Sequence, residues 1–249
     1  ALPMLLFLLV PLLALLLRIP LASLLQNLSS REVAQAVSLS LTTTAVSLSL
    51  SVVLGTPLAY LLARRDFRGR QVIDTLIDLP MVLPPAVAGV ALLMAFGRRG
   101  LIGAYLDAWG VSLAFTSAAV VLAQVFVAAP FYIKAAVAGF EGVERELEQA
   151  AAIDGAGRRR IFRHITAPLA WPSLLGGAVM TWARALGEFG ATIIFAGNFP
   201  GRTQTMPLAI YLGLELDLST ALTLSAILLS VSFLVLFVVK GLLRRRVGV

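Results

Sequence analysis

Long apolar runs separated by short polar stretches dominate the chain. A helix that spans a bilayer needs about 20 mainly apolar residues, and six segments satisfy this, near residues 3–25, 35–62, 79–96, 117–139, 172–196 and 220–240. Residues 38–51 alternate serine with leucine in places, but the apolar run continues to Leu62. A membrane strand is only about 9 to 11 residues long, so the pattern predicts an all-α, polytopic membrane protein with six transmembrane helices.

Composition supports this class and excludes others. Hydrophobic residues make up 59% and charged residues 13% of the 249 positions, whereas soluble domains carry roughly 25% charged residues. The net charge of +7 comes from clusters beside the apolar runs, so no nucleic-acid partner is expected. Cysteine is absent, which excludes a thiol nucleophile and a cysteine metal site.

The distribution of lysine and arginine predicts the orientation. The first segment lacks a basic start and a small-residue cleavage site, so we expect a span and not a signal peptide. With both termini in the cytoplasm, the cytoplasmic parts hold thirteen Lys and Arg residues and the external loops hold four. This bias follows the positive-inside rule and predicts a multi-pass protein of the cell (inner) membrane.

The most polar stretch, residues 141–172, lies between two apolar runs. Its first part predicts a short amphipathic helix with apolar positions at Val143, Leu147, Ala150 and Ala151. Asp154 and Gly155 predict a break. In a second helix, Arg158, Arg159 and Arg163 lie opposite Ile161, Phe162 and Ile165, and we expect Pro168 and Pro172 to end it. The stretch therefore predicts helix, tight turn and helix outside the bilayer.

This stretch resembles the cytoplasmic coupling loop of ABC importer permeases. The aligned residues are Gln149-Ala150-Ala151, Gly155, Ile165 and Pro168, with Gln149 at a position where the family usually has Glu. The resemblance implies contact with a separate ATPase subunit through Gln149, Ala150, Ala151, Gly155, Phe162 and Ile165. The alternative from the residues alone is an amphipathic helix on the lipid surface.

A second resemblance is more specific. The residues Arg-Ala-Leu-Gly-Glu-Phe-Gly-Ala-Thr occupy 184–192, Ala-Gly-Asn follows at 196–198 and Gly-Arg-Thr-Gln-Thr-Met-Pro-Leu occupies 201–208. Together they resemble the molybdate/tungstate branch of the molybdate and sulfate permease family, and the proline-rich run at 79–85 resembles the third-span entry of permeases for oxyanions. Sulfate permeases share the first seven of these residues, so a sulfate or thiosulfate permease stays open as an alternative.

The resemblance implies one permease domain over residues 1–249, with the coupling loop at about 141–171. It implies a homodimer of this chain in the bilayer, two ABC ATPase subunits that bind ATP-Mg, and an external oxyanion-binding protein.

No cofactor is expected on this chain itself. Neither Lys134 nor Lys240 ends a Gly-x-x-x-x-Gly-Lys-[Ser/Thr] loop, so the ATP must be bound by another subunit. His164 is the sole histidine, which excludes a paired-histidine metal site.

Glu188 is the most notable charged residue, because it falls within the fifth apolar segment. A charge at that depth costs roughly 2.5 to 3.5 kcal/mol on insertion scales, so we expect it to pair with Arg184. The pair is interpreted as a gate or as a scaffold, with Thr181 and Thr192 as hydroxyls lining the pathway. Arg202 and Gln204 in an external loop are candidates for contact with the binding protein, and a solvated loop is the alternative.

A secondary transporter that uses Glu188 as a proton site is the competing mechanism. No inverted repeat relates the halves of the chain, and such a transporter has no use for a coupling loop. Importing a dianion against about 100 mV costs roughly 4.6 kcal/mol, and a thousandfold gradient adds about 4.1 kcal/mol. These costs favour an ATP-driven pump.

Overall fold

The computed structural model describes residues 2–18 and 21–247. This part of the chain consists of helices and connections, and the all-α prediction is confirmed. The helices of the first half are α1 (Leu2–Leu17), α2 (Leu21–Leu28), α3 (Arg31–Arg64), α4 (Arg70–Val82), α5 (Pro85–Phe96), α6 (Gly103–Ala108) and α7 (Ser117–Glu141). Those of the second half are α8 (Arg145–Ile153), α9 (Arg158–Ile161), a π-helical turn (Phe162–Thr166), α10 (Ala167–Leu186), α11 (Gly190–Phe195), α12 (Met206–Leu216) and α13 (Leu218–Val247).

Several of the apolar segments are broken helices. Within the described residues, α3, α7 and residues 218–241 of α13 are each long and apolar enough to cross a membrane, and α4 with α5 forms a fourth candidate that is bent by 117°. That bend divides the segment expected at 79–96, because Pro84 and Pro85 cannot donate the backbone hydrogen bonds that would continue α4. The segment expected at 3–25 is divided into α1 and α2. The count of six spans stays a prediction.

The segment expected at 172–196 begins earlier and is interrupted. It begins at residue 167 as α10 and is interrupted at residues 187–189 before α11. The expectation that Pro168 and Pro172 end the preceding helix is wrong, because helical structure is continuous from Arg158 to Leu186. Pro168 occupies the first turn of α10, where its missing N–H is tolerated, and the π turn immediately before it changes the hydrogen-bond register.

The chain forms two compact units. The first unit comprises residues 1–42, 115–117 and 196–249. In it α2 is joined to α13 by Asn27, whose Nδ2 donates to Ser219 Oγ at 3.0 Å and to Thr223 Oγ1 at 3.1 Å. A Cβ added to Gly213 would lie 3.0 Å from the Ala221 Cβ, so α12 and α13 pack with their backbones close together.

The second unit comprises residues 43–114 and 118–195. Its core lies among α3, α7 and α10, and contains Ala59, Ala63, Tyr132, Ile133, Ala136, Phe140, Val143, Ala170 and Leu174. Small residues allow α7 and α10 to approach closely, as in other membrane helix pairs. A Cβ added to Gly139 would lie 2.6 Å from the Ser173 Cβ, and one added to Gly177 would lie 2.6 Å from the Ala135 Cβ. Both candidate regions described next belong to this unit.

Candidate functional site

The polar stretch predicted to be a coupling loop forms a short helix that ends in a glycine turn. Gly155 has φ +84°. Its N–H donates to the Ala152 carbonyl at 3.1 Å, and the Ala156 N–H donates to the Ala151 carbonyl at 2.9 Å. These two bonds make up a Schellman motif, in which a left-handed residue closes the helix. The predicted break at Gly155 is therefore present, and the left-handed conformation accounts for the glycine.

One face of α8 is apolar and has no partner within the described chain. Leu147 is 44% and Ile153 is 86% exposed, and the predicted contact residues Gln149 and Ala150 are exposed too. Ala151 is half-buried. These side chains leave an apolar surface on the nine-residue helix α8 that the described chain does not cover.

The other two predicted coupling residues lie deeper. Phe162 packs inward, where its ring centroid is 5.2 Å from that of Tyr60 and 5.9 Å from that of Phe140. Tyr60 and Phe140 are in edge contact at 5.6 Å. Ile165 is half-buried. The three rings join α3, α7 and the π turn, so Phe162 holds the loop on the core and is not displayed on the surface.

The ion pair between Arg64 and Glu148, which sequence patterns do not predict, attaches α8 to the end of α3. Arg64 Nη2, at the end of α3, lies 3.0 Å from Glu148 Oε1 and 3.1 Å from the Val143 carbonyl oxygen. Thr166 in the π turn donates its hydroxyl to the same Glu148 oxygen. Glu148 therefore connects α3, α8 and the π turn. Its partner Arg64 is 84 residues away, and no local spacing signals a contact over that separation.

The second region centres on Glu188 in the break between α10 and α11. Glu188 is 1% exposed, and its Oε2 lies 2.6 Å from Arg184 Nη1. Its Oε1 accepts a hydrogen bond from the Ala191 backbone N–H at 2.8 Å. The expected pairing with Arg184 is present. The carboxylate has a second task that the sequence did not suggest, because it also caps the first turn of α11.

The two threonines predicted beside this pair differ in their surroundings. Both are fully buried. Thr181 Oγ1 donates to the Ala128 carbonyl oxygen of α7 at 3.1 Å. Thr192 Oγ1 has no hydrogen-bond partner among the described residues. A buried hydroxyl without a partner is costly. Thr192 keeps an unused hydroxyl next to the break at Glu188, whereas the hydroxyl of Thr181 is used in packing α10 on α7.

Two broken helices meet next to this pair. A Cβ added to Gly89 of α5 would lie 2.9 Å from the Ala191 carbonyl oxygen of α11, and one added to Gly190 would lie 2.7 Å from the Pro85 Cβ. The start of α5 therefore packs directly on the start of α11. Irregular backbone at membrane depth is tolerated where it is buried in protein or lines a water-filled cavity, and this junction carries the buried carboxylate.

A charged ladder connects α4 and α7 in the same unit. Lys134 Nζ lies 2.9 Å from Asp74 Oδ1 and 3.1 Å from Asp78 Oδ2, and Arg70 Nη2 lies 2.8 Å from Glu141 Oε1. Hydropathy and motif patterns do not reveal these pairs. The i, i+4 spacing of Asp74 and Asp78 on one helix face was the available signal.

The two loop residues predicted to meet a binding protein lie in the first unit. Arg202 is exposed, whereas Gln204 is only 7% exposed. Gln204 lies among buried threonines, since Thr203 is 0% and Thr205 is 1% exposed. Of the two, Arg202 alone presents its side chain on the surface.

Within the described residues, no group of three or more His, Cys, Asp and Glu side chains is arranged to hold a metal ion.

Comparison with known proteins gives consistent results. A family model described as "Binding-protein-dependent transport system inner membrane component" matches residues 55–249. The chain is 48% identical over 186 residues to the molybdenum transport system permease protein ModB of Mycobacterium tuberculosis. This alignment covers 74% of this chain and 70% of the relative. It is 41% identical over 191 residues to the putative molybdenum transport system permease protein YvgM of Bacillus subtilis, covering 76% and 84%.

The fold is similar to that of a solved transporter. A bacterial ABC transporter involved in the import of the acidic polysaccharide alginate superposes with a TM-score of 0.75, covering 96% of this chain and 90% of the other. Sequence identity in this superposition is 17%, so the similarity concerns the fold alone.

Proposed function

Because the chain belongs to the family of inner-membrane components of binding-protein-dependent transport systems, we propose that it is the permease subunit of an ABC importer for molybdate or tungstate. The 48% identity to a protein named as a molybdenum transport permease carries the substrate assignment. This identity favours molybdate over sulfate or thiosulfate. Molybdate and tungstate are both tetrahedral dianions of nearly equal size, so the choice between them belongs to the external binding protein.

The junction of broken helices supports a pathway near Glu188. Discontinuous spans line substrate sites in other transporters, and here the start of α5 packs on the start of α11 beside a buried carboxylate. A carboxylate repels a dianion, so Glu188 acts with Arg184 as a latch that must open and not as a ligand. Thr192 offers a hydroxyl to the passing oxyanion. The pairing with Arg184 supports this latch over a proton carrier in a secondary transporter.

The exposed face of α8 supports docking of an ATPase subunit. Leu147, Ala150 and Ile153 form an apolar surface beyond the Arg64–Glu148 anchor, and Gly155 sets the turn that presents it. Gln149 and Ala151 border the same surface. Two such ATPase subunits bind ATP-Mg, and this chain is a transport subunit without a nucleotide site of its own. Phe162 and Ile165 transmit the contact to the core.

The assembly follows from the same proposal. A second copy of this chain completes the pathway, and both termini lie in the cytoplasm. The chain crosses the bilayer six times, and residues 1–249 act as one permease domain, which is supported by a family match that includes residues of both compact units. Arg202 contacts the external binding protein.

Reconstitution tests the proposed function. The complex with its ATPase and binding protein is placed in lipid nanodiscs, and ATP hydrolysis is measured with molybdate, tungstate or sulfate. We expect stimulation by the first two anions. Stimulation by sulfate alone would overturn the substrate assignment. Uptake into vesicles that survives a proton uncoupler at constant ATP supports the pump, and uptake that collapses would favour the proton-coupled alternative.

A further inference from the structure

We propose that a basic cleft at the start of the helical run 158–186 binds the phosphate group of an anionic phospholipid in the cytoplasmic leaflet. The cleft has a volume of about 520 Å³. It is lined by Gly155, Gly157, Arg158, Arg159, Arg160, Arg163 and His164. No residue of α8 lines it, and Gly155 is the one residue of the proposed ATPase contact that does, so the cleft begins where the apolar face of α8 ends.

The positive charge of the basic cleft is not compensated by the protein. Arg64, Arg70 and Arg184 of the same unit each form an ion pair with a carboxylate. Among the side chains that the structure describes, none of the four arginines of the cleft makes an ion pair, and all four are exposed. Arginine is well suited to phosphate, because its guanidinium donates two parallel hydrogen bonds to phosphate oxygens. The unpaired charge therefore calls for an anion from outside the chain.

The wall of the cleft leaves room for that anion. A Cβ added to Gly155 or to Gly157 would meet no heavy atom within 4 Å. His164 does not point its Nδ1 outward, because that atom lies 3.0 Å from the Arg160 carbonyl oxygen. The four arginine side chains thus supply most of the donors around an open space that accepts a group as large as a phosphate diester.

The position of the cleft favours a lipid over a free anion. Leu169 is 53% and Trp171 is 43% exposed at the start of α10, and exposed tryptophan is typical of the membrane interface. Arg163 precedes Trp171 by eight residues, or about 12 Å along a helix, and its long side chain can extend toward the headgroups. Acyl chains then contact Trp171 while the phosphate enters the cleft. This step rests on the proposed cytoplasmic side of the 141–171 loop.

Lipid binding is measured by native mass spectrometry of the purified full-length complex in detergent with phosphatidylglycerol or phosphatidylcholine. The variant Arg160→Gln/Arg163→Gln removes the two arginines of the cleft nearest to α10. Arg65→Gln/Arg68→Gln is the matched control, since it removes two exposed arginines from the α3–α4 connection on the same proposed side. Because each arginine near an anionic surface strengthens binding to it, we expect the first variant to bind phosphatidylglycerol roughly tenfold more weakly. We expect the affinity of the control for phosphatidylglycerol to change less than twofold.

Four outcomes would overturn the proposal. The first is an equal loss of phosphatidylglycerol binding in the control variant, and the second is equal binding of phosphatidylcholine by the unmodified complex. The third is displacement of the lipid by millimolar inorganic phosphate. The fourth is unchanged lipid binding by Arg160→Gln/Arg163→Gln together with loss of the ATPase subunit. The third would assign the cleft to a free anion and the fourth to the subunit interface. The readout counts bound lipid and needs no transported oxyanion, so a wrong substrate assignment would leave this result intact.

Discussion

Arg64 Nη2 and Glu148 Oε1 lie 3.0 Å apart, with side-chain exposures of 10% and 16%, and this pair connects the last residue of α3 to the middle of α8. Because Glu148 also accepts a hydrogen bond from the Thr166 hydroxyl, α8 is held by both α3 and the π turn. If an ATPase subunit docks on α8 as proposed, we expect its movement to be passed to α3 and to the helical run 158–186, which leads to Glu188. On that proposal the pair links the ATPase to the membrane helices.

Glu148→Gln tests this link. It keeps an oxygen for Thr166 but removes the charge opposite Arg64, which is shielded from water, so we expect a loss of about 1.5 to 3 kcal/mol in the free energy of unfolding. ATPase co-purification should fall as well. Glu146→Gln is the control, because it makes the same change at an exposed position of α8 that is not assigned to the ATPase surface, and it should change stability by less than about 0.5 kcal/mol. A double-mutant cycle with Arg64→Gln should show coupling, and additive losses would contradict the link.

Local patterns were enough to predict the helical class and the turn at Gly155. The apolar runs are too long for membrane strands, and Asp154-Gly155 interrupts an amphipathic helix, so both predictions depend on neighbours in the sequence. The Arg184–Glu188 pair was accessible for the same reason, because i, i+4 positions share a helix face.

Features that depend on distant residues were not predictable in this way. The break before α11 is stabilised by packing of Gly190 on Pro85 and by the cap that Glu188 provides, and neither contact is visible in a hydropathy pattern. Pro168 was expected to end a helix, but a π turn just before it lets the helix continue. Gln204 was placed on the surface because its loop is polar, whereas tertiary packing buries it.

Gly155→Val tests the turn. Valine at φ +84° is strained by roughly 1 to 3 kcal/mol, and since no atom lies within 4 Å of the added Cβ, this strain comes from the backbone alone. We expect normal yield of folded permease, weaker co-purification of the ATPase and a steep fall in transport. Gly155→Ala should have a milder effect.

Gly157→Val is the control for that substitution. Gly157 lies two residues away with φ −69° and equally open surroundings, so valine there is not forced into the left-handed region. It should retain most of the ATPase binding. Equal effects of valine at 155 and 157 would mean that bulk and not backbone conformation is responsible, and normal docking in both would favour the surface-helix alternative.

Substitution by valine should lower the free energy of unfolding at Thr181 but not at Thr192. Thr181→Val removes a hydrogen bond and leaves the Ala128 carbonyl without this donor, so we expect a loss of about 0.5 to 1.5 kcal/mol in unfolding free energy. Thr192→Val removes a hydroxyl that has no partner within the described chain and should leave stability unchanged or slightly raised. If Thr192 lines the pathway, its variant should lower the rate of oxyanion uptake. If both variants take up oxyanion at the same rate at matched protein levels, Thr192 does not line the pathway.

Glu188→Gln tests the latch, because it separates the charge of Glu188 from its capping role. Glutamine keeps the oxygen that accepts the Ala191 N–H, so α11 should stay capped, while the attraction to Arg184 is lost. If the pair holds the pathway closed, the variant should hydrolyse ATP without the binding protein at a rate closer to that of the stimulated complex.

Arg184→Gln should give the same uncoupling, since it removes the other half of the pair and leaves Glu188 buried without its cation. It should be less stable than Glu188→Gln, because a buried carboxylate that loses its partner is costlier than an arginine that is 29% exposed. Basal and stimulated ATP hydrolysis of both variants, measured beside their thermal unfolding, distinguish the latch from a scaffold. A scaffold predicts lower unfolding temperatures with intact dependence on the binding protein, and unchanged values of both quantities would leave Glu188 with neither role.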